Sequence, residues 1–287
     1  MSEIDLDHLQ RWVGREQAST DPMPAFKAQA LAAALDRDVL PQAGDPLPPA
    51  WQWLYFVGTP RASETDADGH PKKTGGFLPP VPLPRRMWAA GEFHMAAPLR
   101  LGKSATMRST VASVEHKHGK TGELVFVNVE NKVSQDGQVC ITETQDLVYR
   151  AMPSGPTPLP PGEPAPEDAD WVRPFEPNPV TLFRYSALTY NGHRIHYDRD
   201  YATKREHYPA LLVHGPLLAT LLAEATAIEL PGTRIASFRF RAKRPTFDTD
   251  RLRLCGRREG DDLTLWTADA AGTLGMTATA RLAGEGT

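Results

Sequence analysis

The sequence predicts an α+β protein built in two halves. Three features carry this: a proline-rich stretch near the middle, one long apolar helical run in the second half, and period-two alternation in both halves. The stretch "MPSGPTPLPPGEPAPEDADWVRPFEPNPV", Met152 to Val180, holds ten of the 27 prolines. Proline lacks a donor and fixes φ, so the stretch reads as an extended linker, neither helix nor central strand. The 287 residues then divide into 1–151, a linker 152–180, and 181–287.

The elements follow in order. Leu6, Leu9 and Val13 recur at helical spacing, and "FKAQALAAALD" (Phe26 to Asp36) is rich in helix formers. Pro41 to Pro84 carries prolines, glycines and tryptophans with few strand signals. Ala105 to His116 reads as a strand, and Val125, Val127 and Val129 alternate with Phe126 and Asn128. Asp136-Gly137 is a hairpin turn signal ahead of "QVCITETQDLVYR". In the second half a short strand or turn region leads into "SALTYNGHRIHYD", Ser186 to Asp198. Pro216 suits a first helical turn; Leu217, Leu218, Leu221, Leu222, Ala225 and Ile228 form a broad apolar face, and Pro231-Gly232 ends it. In "IASFRFRAKRPTF", Phe238, Phe240 and Ala242 face one way and Arg239, Arg241 and Lys243 the other, and three more alternating segments follow. A helix followed by an antiparallel meander gives a sheet that wraps the helix. Both halves contain strands joined by hairpins, which fits duplicates whose sequences have drifted.

Composition narrows the function. Apolar residues are 40% and charged residues 23%, a globular balance. Lys+Arg 32 against Asp+Glu 35 leaves a net charge of -3, so no basic excess points to nucleic acid. Cys140 and Cys255 are far apart, arguing against a disulfide framework or a thiolate zinc site and for a reducing, cytoplasmic setting. "MSEIDLDHLQRWVG" has no apolar signal core, and no run of 18 apolar residues predicts a membrane span.

The segment Ser186 to Asp198 concentrates chemistry, and each residue also has an ordinary reading. A lone histidine here is more often structural than catalytic, and Asn191-Gly192 would serve as a turn. His193 can face solvent. His193, His196 and Asp198 lie close enough in sequence for a metal, with His207 and His214 available, but the spacing matches no metal motif and none is expected. Gly215, just before Pro216, starts the apolar helix, where N–H groups lack partners and the dipole is positive. The stripe Arg239, Arg241, Lys243 and Arg244 reads first as a solvated sheet face.

"LFRYSALTYNGHRIHYDRDYATKREHYPALLVHG", residues 182 to 215, resembles the second half of the MaoC-like double-hotdog hydratases and dehydratases, relatives of (R)-specific enoyl-CoA hydratase and hydroxyacyl-thioester dehydratase type 2. "DGHPKKTGGFLPPVPLPRRMWAAGEFHMAAPLRLG", Asp68 to Gly102, is similar to the branch containing the mesaconyl-C4-CoA (3-methylfumaryl-CoA) and itaconyl-CoA hydratases. The resemblance spans nearly the whole chain. It implies two hotdog units forming one continuous sheet, each a helix wrapped by antiparallel strands. The first unit is expected to be degenerate and non-catalytic, and the second to carry the site. It implies reversible addition of water across a C=C bond conjugated to a thioester, with an acyl-CoA partner, no cofactor beyond the coenzyme A of the substrate, and a homodimer or higher homo-oligomer.

Such a reaction needs a base for water, an acid for Cα, and donors for the thioester oxygen as an enolate forms. The resemblance makes His196 the proton-transfer residue, Asn191 its partner, and Gly215 the oxyanion donor. The family motif pairs this histidine with an aspartate five residues earlier, where this chain has Asn191. An amide takes no proton at neutral pH, but its carbonyl can orient a water and its NH2 can donate. Tyr190, His193, Arg194 and His214 are expected to bind substrate beside them, with Arg241 and Arg244 meeting coenzyme A phosphates or a substrate carboxylate, and Arg86 and Trp88 lining the acyl pocket. Other readings are a 3-hydroxyacyl-CoA or acyl-carrier-protein dehydratase, an (R)-specific enoyl-CoA hydratase on monocarboxyl chains, and a non-catalytic acyl-CoA-binding hotdog protein.

Overall fold

Ten strands hydrogen-bond into one antiparallel sheet in the computed structural model, which describes residues 4–119, 122–152, 155–156, 158–159 and 161–284. The chain order is α1 (Leu6–Gln10), β1 (Glu16–Asp21), α2 (Ala25–Ala34), β2 (Arg85–Met95), β3 (Ala105–Gly119), β4 (Gly122–Gln135), β5 (Gln138–Arg150), β6 (Trp171–Phe175), α3 (Pro179–Leu188), α4 (Arg199–Lys204), α5 (Gly215–Glu229), β7 (Ile235–Ala242), β8 (Leu252–Glu259), β9 (Asp262–Ala268) and β10 (Leu274–Leu282). Across the sheet the strands run β1-β3-β4-β5-β2-β7-β10-β9-β8-β6. Read inward from its own edge, each half gives the same order: 1-3-4-5-2 and 6-8-9-10-7. The fold is a double hotdog. The halves join where Ala90–His94 of β2 pairs with Ser237–Arg241 of β7.

The second half holds its sheet around α5. Leu217 through Thr226 are all buried, and Leu217, Leu221 and Leu222 pack in one core with Phe238, Phe240, Leu265 and Met276. Ile228, expected on the apolar face, is 51% exposed; the continuously buried run of the helix ends at Thr226. The helix between β1 and β2, α2, is shorter and buries mainly Ala28, Leu31 and Ala32; Trp51 and Leu54, on a 3-10 turn, fill the same core. Asp136 (φ 52) and Gly137 (φ 79) make the expected tight turn between β4 and β5, both in the left-handed region that a type I′ hairpin needs.

Three local expectations are corrected. The segment before the histidine cluster is the helix α3: the Asn178 side chain accepts from Val180 N and Thr181 N, and Pro179 occupies the first turn. Trp171–Phe175, inside the proline-rich stretch, is the edge strand β6 on β8; Pro174 is tolerated there because an edge strand needs hydrogen bonds on one side only. Residues 153, 154, 157 and 160 of that stretch lie outside the described residues. β1 and β2 were not anticipated; in β2 the run Trp88-Ala89-Ala90-Gly91-Glu92 lacks the alternation that marks a half-buried strand.

Candidate active site

Short-range hydrogen bonds build the histidine cluster. After α3 the chain reverses at Tyr190, which takes a left-handed φ of 51. Asn191 N donates to Ser186 O at 2.8 Å, and Asn191 Oδ1 accepts from His193 N at 3.0 Å, an Asx turn. The 3-10 turn Arg194–His196 follows at once and buries both His193 and His196. Asp198 then caps α4 by accepting from Tyr201 N. His214 ends the segment as the N-cap of α5.

The result is a column of four imidazoles. His70 and His193 lie 4.0 Å apart between ring centres, His193 and His196 meet edge-on at 5.5 Å, and His196 stacks on His214 at 3.6 Å. His196 Nδ1 lies 2.7 Å from Leu212 O. A carbonyl only accepts, so Nδ1 carries the proton and Nε2 keeps its lone pair. His214 Nε2 pairs with Ser186 Oγ at 2.8 Å, and His70 Nδ1 with Asp68 Oδ2 at 3.0 Å. Burial dominates their titration. It pushes His196 down to about 4, and holds His193 and His214 well below the ordinary range. His70 is also lowered by burial, opposed by Asp68. His193, His196 and His214 are therefore uncharged near neutral pH, and His196 presents a neutral acceptor nitrogen.

These groups line a cavity of about 1340 Å³ to which both halves contribute. Gly215 opens α5 on its wall. Leu218 N donates to His214 O at 3.1 Å and Pro216 has no N–H, so the N–H groups of Gly215 and Leu217 are those the helix leaves without acceptors. They sit at the positive end of the helix dipole, a place suited to an oxygen that gains charge. The seam between the halves is tight. A Cβ on Gly69 would come within 1.8 Å of Gly192 O, and one on Gly192 within 2.7 Å of Gly69 O.

Charge on the wall is uneven. Arg85 is neutralised by buried Glu206 at 2.9 Å and donates to the Tyr208 hydroxyl. Its neighbour Arg86 lines the cavity, has no carboxylate partner among the described residues, and lies close enough to depress His70 and His193. Arg244 also lines the cavity, 3.7 Å from Asp269, with its Nε unpartnered.

His196, Asn191, Gly215, Tyr190, His193, His214, Arg86, Trp88 and Arg244 all line one cavity. Two expected residues do not. Arg194 turns away to Asp198 at 2.7 Å, covers the Tyr201 ring and donates to Ala67 O. Arg241 stands exposed on β7, as the solvated-face reading of the stripe has it; its neighbour Arg239 pairs with Glu92. The suggested metal set of His193, His196 and Asp198 is broken, since Asp198 is committed to Arg194 and the α4 cap. The sequence reading missed Asp68 and His70. A signal was present: Asp68-Gly69-His70 repeats the pattern of Asn191-Gly192-His193, and the two tripeptides touch through their glycines.

The family model for hydroxyacyl-thioester dehydratase type 2 matches residues 50–248, which include both tripeptides and the start of α5. The chain belongs to the hydroxyacyl-thioester dehydratase type 2 family. It is 42% identical to mesaconyl-C(4)-CoA hydratase of Chloroflexus aurantiacus over 95% of this chain and 97% of that one. It is 29% identical to the mitochondrial hydroxyacyl-thioester dehydratase type 2 of Schizosaccharomyces pombe over 77% of this chain and 80% of the relative. Among solved structures a MaoC-like dehydratase aligns with a TM-score of 0.70 at 15% identity, covering 94% of this chain and 98% of the other. HtdX of Mycobacterium tuberculosis aligns at 0.66 and 16% identity, covering 93% and 99%. At such identities these two structures establish the hotdog fold, whereas the family match and the 42% relative establish a hydratase/dehydratase.

Proposed function

We propose that the protein hydrates an α,β-unsaturated acyl-CoA, and that its substrate is a branched C5 dicarboxyl thioester, mesaconyl-C4-CoA or itaconyl-CoA, giving citramalyl-CoA. One observation carries the chemistry: a histidine nitrogen with a fixed lone pair, His196 Nε2, shares a cavity with Gly215, whose N–H opens α5 without a helical acceptor. The thioester oxygen takes the N–H of Gly215, which stabilises the enolate as it forms. His196 Nε2 accepts the proton of the attacking water. Asn191 has its amide oxygen engaged by His193 N–H, which leaves its NH2 to donate to substrate oxygens. Trp88 and Tyr190 flank the acyl chain, and His193 and His214 hold His196 between them.

Two points support the dicarboxyl substrate: the 42% relative, named for mesaconyl-C(4)-CoA, and Arg86 beside the histidine column, without a carboxylate partner among the described residues. A guanidinium there pairs with the distal carboxylate. Asn191 fits as well, because an aspartate would repel that carboxylate. Arg244 and Lys243 serve the coenzyme A phosphates at the other rim. The same reading gives a cytoplasmic homodimer, with no cofactor beyond the coenzyme A of the substrate; no helix among the described residues is long and apolar enough to cross a membrane.

The test follows loss of enoyl-thioester absorbance with mesaconyl-C4-CoA and with crotonyl-CoA. An arginine–carboxylate contact is worth about 1.5–3 kcal/mol, so a roughly ten- to hundredfold preference in kcat/KM for the dicarboxyl substrate is expected. Equal values overturn the dicarboxyl assignment. No turnover of either, with both still bound, makes this an acyl-CoA-binding protein.

A further inference from the structure

Building on the hydratase reading, we propose that the first half supplies a second catalytic group: His70, gripped by Asp68, exchanges the Cα proton, while His196 exchanges the proton of water. His70 lines the same cavity as His196, with His193 between them, 4.0 Å from the one ring and 5.5 Å from the other. Asp68 holds His70 twice, by Oδ2 to Nδ1 at 3.0 Å and by Oδ1 to the backbone N at 2.9 Å. An ionised carboxylate only accepts, so Nδ1 carries a proton and Nε2 is the nitrogen left to meet substrate.

The backing of the two histidines differs in kind. His196 is held by a carbonyl, and no carboxylate among the described residues touches it; His70 is held by a carboxylate. A carboxylate stabilises an imidazolium where a carbonyl does so weakly. A single proton shared between them therefore resides on His70, which leaves His196 neutral. That is the arrangement hydration needs, and it places a carboxylate in the site although Asn191 has replaced the one in the second half.

In hydration the water oxygen bonds to Cβ while His196 Nε2 takes one water proton. The C=C π pair moves to Cα and into the thioester as an enolate. His70 then gives its Nε2 proton to Cα. The product is substrate plus one water, and the protein ends with its proton on His196 instead of His70. The proton returns to His70 by way of His193 before the next turnover.

The second half also fixes the dyad in place. Arg194 N donates to Asp68 O at 2.9 Å, Arg194 Nη1 donates to Ala67 O at 3.0 Å, and Gly69 abuts Gly192. These contacts explain Arg194 better than substrate binding does. Around His70 the charged and titratable groups are Asp68, His193, His196, Arg86 and Lys73. Asp68 favours the protonated ring and the two cations oppose it; a substrate carboxylate on Arg86 removes part of that opposition.

The experiment measures kcat, KM, their pH profiles, and deuterium exchange at Cα of the hydroxyacyl product in heavy water, for wild type, His70→Gln and Asp68→Asn. For His70→Gln, kcat should fall about a hundred- to a thousandfold, KM should stay within about threefold, and Cα exchange should vanish. For Asp68→Asn the alkaline limb of hydration should move to lower pH, since the ring loses the charge that keeps it protonated. Asp68→Asn is nearly isosteric, so it decides the matter if His70→Gln fails to fold: an unmoved limb overturns the proposal. So does a His70→Gln enzyme that keeps Cα exchange or changes only KM, and so does wild-type turnover that a chelator abolishes and a divalent metal restores. In those cases wild-type hydration stands and the hydratase reading survives. A wild type that hydrates no enoyl-CoA overturns both.

Discussion

The two halves repeat one strand order but fill it differently. The second wraps its sheet around α5, buried from Leu217 to Thr226, and starts that helix at the cavity. In the first, the helix between β1 and β2 is the short α2, followed by a long irregular segment from Leu35 to Pro84 before β2. That segment supplies Trp53, which packs on Trp88 and on Phe240 of the other half, and it supplies Asp68 and His70. A half with only a short helix has its irregular chain free to reach across the seam. The histidine column is completed by both halves.

The largest effect is expected in the second half. His196→Ala should lower turnover by about a thousandfold or more while substrate still binds, measured by kcat and by equilibrium binding. Activity near wild type would remove the second half from its leading role. Gly215→Val comes next, with a loss of about a hundredfold and little change in Tm, because a Cβ there would meet only Trp88 O, at 3.5 Å. From the first half, Arg86→Gln should cut kcat/KM for the dicarboxyl substrate about ten- to a hundredfold, and less for crotonyl-CoA. Asn191→Ala should cost about tenfold or somewhat more, as a positioning group does. Asn191→Asp keeps an acceptor for His193 N–H, so it should fold as before and shift preference toward the neutral substrate.

The seam itself is tested by stability. Gly69→Ala puts a Cβ against Gly192 O at a φ of +90 and should cost roughly 2–4 kcal/mol in urea unfolding, whereas Gly215→Ala should be close to neutral. The smallest effect is that of pH. His193, His196 and His214 are buried uncharged, so their folded pKa values lie below those of the unfolded chain. As pH falls below about 6.5 the unfolded state binds more protons, and stability should decline steadily. His196, at about 4, stays neutral over that range, so the acid limb of activity that reports it should lie near pH 4. A limb near 6.5 would mean a solvated ring.

What the sequence determined by itself was local. The turn at Asp136-Gly137 needs two left-handed residues that Asp and Gly supply, and α5 follows from apolar spacing with Pro216 in its first turn, since both depend on neighbours within a few residues. The His196 segment was legible for the same reason: its turn is closed by bonds among residues 186 to 198. Even α3 had its signal in Asn178-Pro179, overlooked amid the surrounding prolines. Tertiary structure decided what depends on distant partners. Arg85 and Arg86 are identical in sequence terms, yet Glu206 neutralises one and leaves the other to the cavity. Arg194 and Arg241 read as substrate ligands until Asp198 and Ala67 claim the first and solvent the second. Asp68 and His70 lie more than a hundred residues from His193, and only the close packing of Gly69 on Gly192 brings them beside it. Local hydrogen bonding and side-chain period are written in short windows of sequence, whereas the burial and charge environment of a side chain is set by whichever distant segment packs against it.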